Sequence, residues 1–418
     1  MSIFEMISSL ICLTAIFSYL NFKFLKMPAS IGVMILSIVF SLVLMILNLV
    51  GIPIQIYAKV FVSRIDFHET LMNGILCFLL FAGALHVDIP ELRKQKLLVT
   101  MLSSLGLVFS ILIIGYFVYG VSSLFQIDFG IWNSMIFGAL ISPTDPVAVL
   151  TLMKNAGAGK GIRALIAGES LFNDGFGVVA FIVVTQLASQ HVGLEALQIL
   201  KLLTSEVFGG LLAGLILGQI GHWLLTRVDN YHVAILLTLA LVSGGYCFAQ
   251  RIHVSGVLAM VVTGLMLGNH ERKNAMPAST RHRLEDFWEI IDEVLNSVLF
   301  VLIGIEVLVI PISSKYFVIS LVAILIVLAA RLLSVGMTIW MTGAKNLYPT
   351  HLVKTLTWGG LRGGISIALA LSLPASSGKE LTIFITYSVV LFSLLVQANT
   401  FKVLLRKFLL KIGLKAWK

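Results

Sequence analysis

The chain has 418 residues, 58% of them apolar and 12% charged, with a mean hydropathy of +1.01 and 29 Lys+Arg against 20 Asp+Glu. A soluble domain carries about 25% charged residues, so this composition excludes a cytosolic enzyme, a nucleic-acid binder and a disordered chain. The net charge of +9 then speaks first of orientation in a bilayer, and only secondarily of an anionic partner.

A helix crossing about 30 Å of hydrocarbon at about 1.5 Å per residue needs about 20 mostly apolar residues. Thirteen such spans follow one another: Ile3–Phe22, Ala29–Val50, Glu69–Asp88, Leu97–Gly120, Trp132–Leu152, Ala164–Ser189, Ser205–Thr226, His232–Gln250, Val254–Asn269, Trp288–Ile310, Tyr316–Thr342, Leu352–Pro374 and Leu381–Phe401. They predict an all-α polytopic membrane protein of about 13 transmembrane helices, closed by a short basic tail at 402–418. Between spans 2 and 3, Ile52–Phe67 has room for an interfacial helix. Span 1 begins with Glu5 and is followed by Lys23 and Lys26, the reverse of a signal peptide. Cys12, Cys77 and Cys247 lie apart in apolar stretches without disulfide or zinc spacing.

With the N-terminus outside, 21 of the 29 basic residues face the cytoplasm, among them Lys23, Arg93, Lys154, Lys160, Arg163 and six in the tail. Six lie outside (Lys59, Arg64, Lys201, Arg251, Lys315 and Lys379), and Arg331 and Arg362 lie within spans. The asymmetry predicts an N-out, C-in topology. An odd number of spans makes spans 1–6 and 8–13 enter from opposite sides, which is the arithmetic of two inverted six-helix repeats.

Helix breakers sit at matched places in the two halves. Span 5 contains Ser142-Pro143-Thr144-Asp145-Pro146 and span 12 contains Gly359-Gly360-Leu361-Arg362-Gly363-Gly364. Proline removes a backbone donor and clusters of glycine weaken the helix ladder. Kinks or close packing account for many such residues. A symmetry-related pair of breaks, each carrying an ionisable group, predicts discontinuous helices 5 and 12 around a substrate site.

Charges within the bilayer cost about 2.5–3.5 kcal/mol on insertion scales, so each needs a reason. Glu169 and Arg331 fall at matching depth and read as a structural ion pair. Arg362 reads as compensation for the negative end of a broken helix and nearby carboxylates. Asp174 lies ten residues into span 6, about 15 Å along the axis and near the midplane, with no basic residue within a turn. Burial disfavours its charged form, which is relieved by a proton or by a bound cation. A neutral, hydrogen-bonded Asp is the plainer alternative. Asp174, Asn173, Asp145, Thr144, Ser170 and carbonyls freed by the prolines form an all-oxygen donor set, suited to Na⁺ or Li⁺ and not to a soft metal. No cofactor is called for.

At the start of span 10, Glu285, Asp286, Glu289, Asp292, Glu293 and Asn296 fall within about 100° of one another around the helix. Acids favour a helix N-terminus; on the predicted topology this face also suits a cytoplasmic funnel for cations.

The runs Ser142-Pro143-Thr144-Asp145-Pro146-Val147-Ala148-Val149, Gly168-Glu169-Ser170-Leu171-Phe172-Asn173-Asp174-Gly175 and Gly359-Gly360-Leu361-Arg362-Gly363-Gly364 resemble those of NhaP-type sodium/proton antiporters, relatives of the eukaryotic sodium/proton exchangers. The resemblance spans essentially all thirteen helices. It implies a secondary active Na⁺(Li⁺)/H⁺ antiporter, with K⁺/H⁺ exchange as the alternative within the same fold, working by alternating access in a bacterial inner membrane for pH homeostasis. It further implies a homodimer, with dimerisation helices at about 3–88 and 232–310, core helices at about 97–189 and 316–401, and a linker helix at about 205–226. On the same resemblance Asp174 binds cation or proton in turn, Thr144, Asp145, Ser170 and Asn173 complete or support the site, and Glu169 with Arg331 is the stabilising pair. The Asn173-Asp174 pair, in place of two Asp, implies electroneutral exchange. Position 82 departs from the pattern: some relatives have a Glu there on span 3, and this chain has Ala82. A channel, an intramembrane enzyme and a purely structural anchor fit less well, since the sequence has no repeated filter segments and no catalytic set at helical spacing, and an anchor has no use for two broken helices around buried charges.

Overall fold

The structure, a computed structural model, describes residues 3–52, 58–60, 62, 66–189, 196–270, 277–310, 314–343, 350–374 and 378–412. Among these residues the regular structure is helical, apart from a single antiparallel bridge between Asp145 and Leu361. Nine helices in this set are long and apolar enough to cross a membrane, and Ile131–Ile141 and Gly256–Gly268 are shorter apolar helices. Most of Ile52–Phe67, including Arg64, and the tail residues 413–418 lie outside the described residues.

In chain order, α1 (Phe4–Leu25), α2 (Ala29–Leu49) and α3 (Phe67–Leu85) occupy the first three predicted spans. A short helix, α4 (Ile89–Lys94), then precedes α5 (Lys96–Leu124). Span 5 is two half-helices, α6 (Ile131–Ile141) and α7 (Val147–Asn155), followed by α8 (Lys160–Ser189). Next come α9 (Ala196–Leu225), α10 (Tyr231–Arg251), α11 (Gly256–His270), α12 (Ala278–Glu306) and α13 (Ser314–Met341). Span 12 is again divided, into α14 (Thr350–Gly359) and α15 (Gly364–Leu371). The last helix, α16, runs from Lys379–Phe392 through a wide π turn at Ser393–Gln397 into Ala398–Ile412.

Several boundaries differ from the apolar windows, three of them for a clear local reason. The loop after span 3 holds α4, where Asp88 is the N-cap and Pro90 sits in the first turn, a position that needs no proline N–H. α12 begins ten residues before its apolar stretch because 278–287 is amphipathic and helical rather than apolar. α16 continues past Phe401 for the same reason, so the basic tail begins as helix.

Packing sorts the helices into two groups. α12 packs on α2 and α3, and α11 packs on α3, α9 and α10. Polar side chains tie this group together: Ser37 and Ser41 donate to the carbonyls of Val301 and Gly304 at 2.9 and 2.8 Å, and the Tyr246 hydroxyl donates to the Met72 carbonyl at 2.6 Å. Trp288 is buried against Phe81, with ring centroids 4.7 Å apart, and its Nε1 donates to Thr238 Oγ1 at 3.1 Å. In the second group, α5, α8, α13 and α16 surround the divided helices α6/α7 and α14/α15. Small or polar contacts of this kind replace the hydrophobic drive that lipid removes. Exposed apolar side chains such as Ile46, Tyr116, Phe208, Leu325 and Trp340 cover the outer surface, where a bilayer is their natural solvent.

Candidate functional site

The site is built where the two interruptions meet. α6 stops at Ile141, and the next five residues cannot continue it because Pro143 and Pro146 lack N–H groups. The Asp145 amide donates instead to the Leu361 carbonyl at 2.8 Å, and Asp145 Oδ1 accepts from the Val147 amide at 3.0 Å at the start of α7. Two glycines of the second break admit buried neighbours, Gly363 the Asp145 side chain and Gly360 that of Arg331. A Cβ on Gly363 would lie 2.3 Å from Asp145 Oδ2, and one on Gly360 would lie 2.7 Å from Arg331 Nε. At either place an added Cβ would force the neighbouring side chain or the backbone to shift.

Arg362 stands between these glycines and is fully enclosed. Its backbone amide donates to Ser393 Oγ at 2.9 Å, and its Nη1 donates to the carbonyls of Pro143, at 2.9 Å, and Ser142. Those carbonyls follow the C-terminus of α6, the negative end of its dipole. A cation there satisfies acceptors that hydrocarbon cannot.

Glu169 on α8 and Arg331 on α13 are 1% and 6% exposed, and Arg331 Nη1 donates to Glu169 Oε1 at 2.9 Å. The other Glu169 oxygen faces Thr144 Oγ1 at 3.4 Å and Ser170 Oγ at 3.5 Å. Asn173 Nδ2 donates to Thr144 Oγ1 at 3.1 Å and to the Ser142 carbonyl at 3.3 Å. Thr144, Ser170 and Asn173 therefore form one buried polar network around the ion pair, locking α8 to the break after α6.

Asp174 lies one residue beyond this network and turns away from it. It is 6% exposed, and its carboxylate makes no hydrogen bond or ion pair with any described residue. It faces a cavity of about 200 Å³, whose wall also includes Asp145, Asp292, Asn296, Gly363 and Ser366. A second cavity of about 460 Å³, walled in part by His86, Lys154, Lys160, Arg163 and Glu289, shares Gly83, Leu150, Thr151 and Asp292 with the first. Lys154 and Glu289 pair across its mouth at 3.7 Å and are mostly exposed, which places that mouth at the surface. The two cavities thus lie in series between the end bearing Lys154, Lys160 and Arg163 and Asp174.

The sequence-derived residues are all brought to this region, with a division that spacing alone did not reveal. Asp145 and Asp174 face the cavity, while Thr144, Ser170 and Asn173 are engaged with one another beside it. Of the acidic face on α12, Asp292 and Asn296 reach the inner cavity, Glu289 reaches the outer one, and Asp286 pairs with His282 at 3.4 Å. Ser366, whose buried Oγ has no partner among the described residues, was not anticipated. It follows the Gly-rich run by two residues and carries no distinguishing pattern. Ala82 is fully buried, and α3 contributes Gly83 rather than a carboxylate to the cavity wall.

Comparison with known proteins agrees with this architecture. A sequence profile described as the transmembrane sodium/hydrogen exchanger matches residues 10–407. The chain is similar to the Na⁺/H⁺ antiporter NhaP of Pseudomonas aeruginosa, 42% identical over 410 residues that cover 96% of each protein. It is also similar to NhaH of Halobacillus dabanensis, 33% identical over 392 residues, covering 92% of this chain and 93% of that one. Among solved structures, the sodium proton antiporter MjNhaP1 from Methanocaldococcus jannaschii at pH 8 superposes with a TM-score of 0.77 at 20% identity, over 98% of this chain and 100% of that one. By the length and identity of these matches, the chain belongs to the transmembrane sodium/hydrogen exchanger family.

Proposed function

We propose that this transporter exchanges one Na⁺ or Li⁺ for one H⁺ by alternating access, with the two ions competing for the Asp174 carboxylate. The observation that carries the reading is that carboxylate itself: buried, without a protein partner among the described residues, and facing a cavity beside the crossing of two broken helices. The names of the similar proteins NhaP and NhaH, both Na⁺/H⁺ antiporters, favour sodium over potassium.

In this mechanism an empty, charged Asp174 is held on one side, because carrying a bare charge through the barrier incurs the membrane penalty. Protonation to the carboxylic acid, or binding of the cation to the carboxylate, removes that penalty. Either species lets the core move, and neither can bind while the other is present, so the two gradients are coupled. Asp145 and its neighbouring carbonyls add oxygen ligands, and Thr144, Ser170 and Asn173 hold α8 in register with them. Glu169 and Arg331 cancel one another and keep the core rigid. Arg362 stabilises the end of α6.

The two packing groups support a division into a dimerising scaffold, containing α1–α3 and α10–α12, and a mobile core containing α5–α8 and α13–α16, with α9 as linker. On this reading all thirteen segments span the membrane as two inverted repeats, N-out and C-in. The route past Lys154 and Arg163 is then the cytoplasmic one, and the protein is a homodimer in the bacterial inner membrane. With a single titrating carboxylate beside Asn173, the cycle moves no net charge.

The test is proton flux in everted vesicles on addition of Na⁺, Li⁺ or K⁺. Wild type is expected to respond to Na⁺ and Li⁺, and Asp174→Asn to none of them. Full exchange by that variant would overturn the assignment, and a response confined to K⁺ would overturn the choice of ion.

A further inference from the structure

Asp292 occupies a position the mechanism above does not use. It sits on α12, which packs on α2 and α3, whereas Asp174 is on α8 among the helices around the breaks. Asn296, one turn further along α12, is buried, and its Nδ2 donates to the Asp292 carbonyl at 2.9 Å. That bond uses one amide N–H and holds the Asn296 side chain beside Asp292, and both residues line the cavity together with Asp145 and Asp174. Four residues are common to the inner and outer cavities, and Asp292 is the only charged one, the others being Gly83, Leu150 and Thr151. An ion travelling from the mouth to Asp174 passes this carboxylate. The opposite end of the route is also marked, since Asp174 is the buried and unpartnered group that faces the same space.

We propose that Asp292, with the amide oxygen of Asn296, is a second cation station on the scaffold side of the cavity, which takes an alkali cation from the cytoplasmic mouth and passes it to Asp174. The proposal rests on the antiport reading and adds a directional feature to it. A carboxylate on the scaffold stays behind when the core carries Asp174 to the other side. It therefore assists loading from one face of the membrane only.

The experiment compares Na⁺ kinetics on the two faces, using everted vesicles for the cytoplasmic face and right-side-out vesicles for the other. Asp292→Asn is expected to raise the cytoplasmic KM on the order of tenfold, at the low end of the gain a charged cleft gives its counter-ion. The maximal rate should fall much less, the KM at the outer face should stay at its wild-type value, and Asp292→Glu should restore the cytoplasmic KM. A change of equal size on both faces, or none on either, overturns the proposal. Asp292→Ser serves as the test variant if the Asn form does not reach the membrane. Asp174→Asn is assayed alongside: if it still exchanges, the underlying site assignment has failed, whereas a dead Asp174→Asn with wild-type Asp292→Asn kinetics removes the second station alone.

Discussion

The backbone amide of Asp145 donates to the carbonyl oxygen of Leu361 at 2.8 Å, joining two interrupted helices at their breaks. Each break supplies what the other lacks. The first leaves carbonyls beyond the end of α6, and the second provides the Arg362 guanidinium that binds them. Gly363 of the second break admits the carboxylate of the first.

Gly363→Ala tests that fit. The added methyl carbon would lie 2.3–2.9 Å from the Asp145 carboxyl group and its Cβ, so either the carboxylate or the α15 backbone must shift. The expected cost is about 1–3 kcal/mol, as for overpacking elsewhere, with a larger loss of transport than of thermal stability in detergent. Unchanged transport would show that this approach is not needed for the cycle.

Removing one member of the buried ion pair leaves the other as an uncompensated charge. Glu169→Gln should destabilise the protein by about 3–5 kcal/mol, the range for breaking a buried pair, and this would be read as a lower unfolding temperature and poor yield. Replacing both partners, as Glu169→Gln with Arg331→Met, should recover much of the loss. Normal expression of Glu169→Gln with transport abolished would give Glu169 a direct part in ion binding.

Arg362→Lys retains the charge but loses the planar fork that lets one guanidinium nitrogen bridge the Ser142 and Pro143 carbonyls. It should unfold at a lower temperature than wild type, by an amount corresponding to at least about 1 kcal/mol for a lost charge-assisted hydrogen bond. Wild-type stability would mean that the carbonyls find other partners.

On the proposed mechanism, competition for one carboxylate fixes the direction of the pH dependence. A proton on Asp174 excludes the cation, so the apparent KM for Na⁺ should rise as pH falls, by about tenfold per pH unit once the proton is the dominant occupant. The rate at saturating Na⁺ should change far less near the optimum. A KM independent of pH would argue for separate proton and cation sites.

One-for-one exchange carries no net charge. Clamping the membrane potential of proteoliposomes with a potassium gradient and an ionophore should therefore leave the Na⁺-driven rate unchanged. A rate that follows the imposed potential would overturn electroneutrality.

Much of the fold was legible because lipid imposes a simple requirement: long apolar helices, with breakers tolerated only where protein re-satisfies the backbone. The prolines at 143 and 146 and the glycines at 359–364 marked both divided helices. Amphipathic helix was less visible. The first turns of α12, all of α4 and the continuation of α16 do not register in an apolar window. Within the site, spacing identified one face of α8 but not its rotation. Glu169 and Asn173 are four residues apart, as are Ser170 and Asp174, and the two pairs occupy adjacent strips of the helix. Packing against the break after α6 engages Glu169, Ser170 and Asn173 and leaves Asp174 to the cavity. Nor could sequence separate Asp292 from its acidic neighbours on α12, since that depends on where the cavity ends.

The divided helices also bear on how the chain is made. α6 has 11 residues and α7 has 9, lengths of about 16 and 14 Å at 1.5 Å per residue, so neither half crosses the hydrocarbon alone. The Ser142 and Pro143 carbonyls between them are met by Arg362, which lies 220 residues after Ser142. During synthesis the fifth span must therefore wait, incompletely satisfied, until the twelfth has emerged from the ribosome. A chain released before Arg362 should be a preferred substrate for membrane quality control, whatever the hydrophobicity of the helices already inserted.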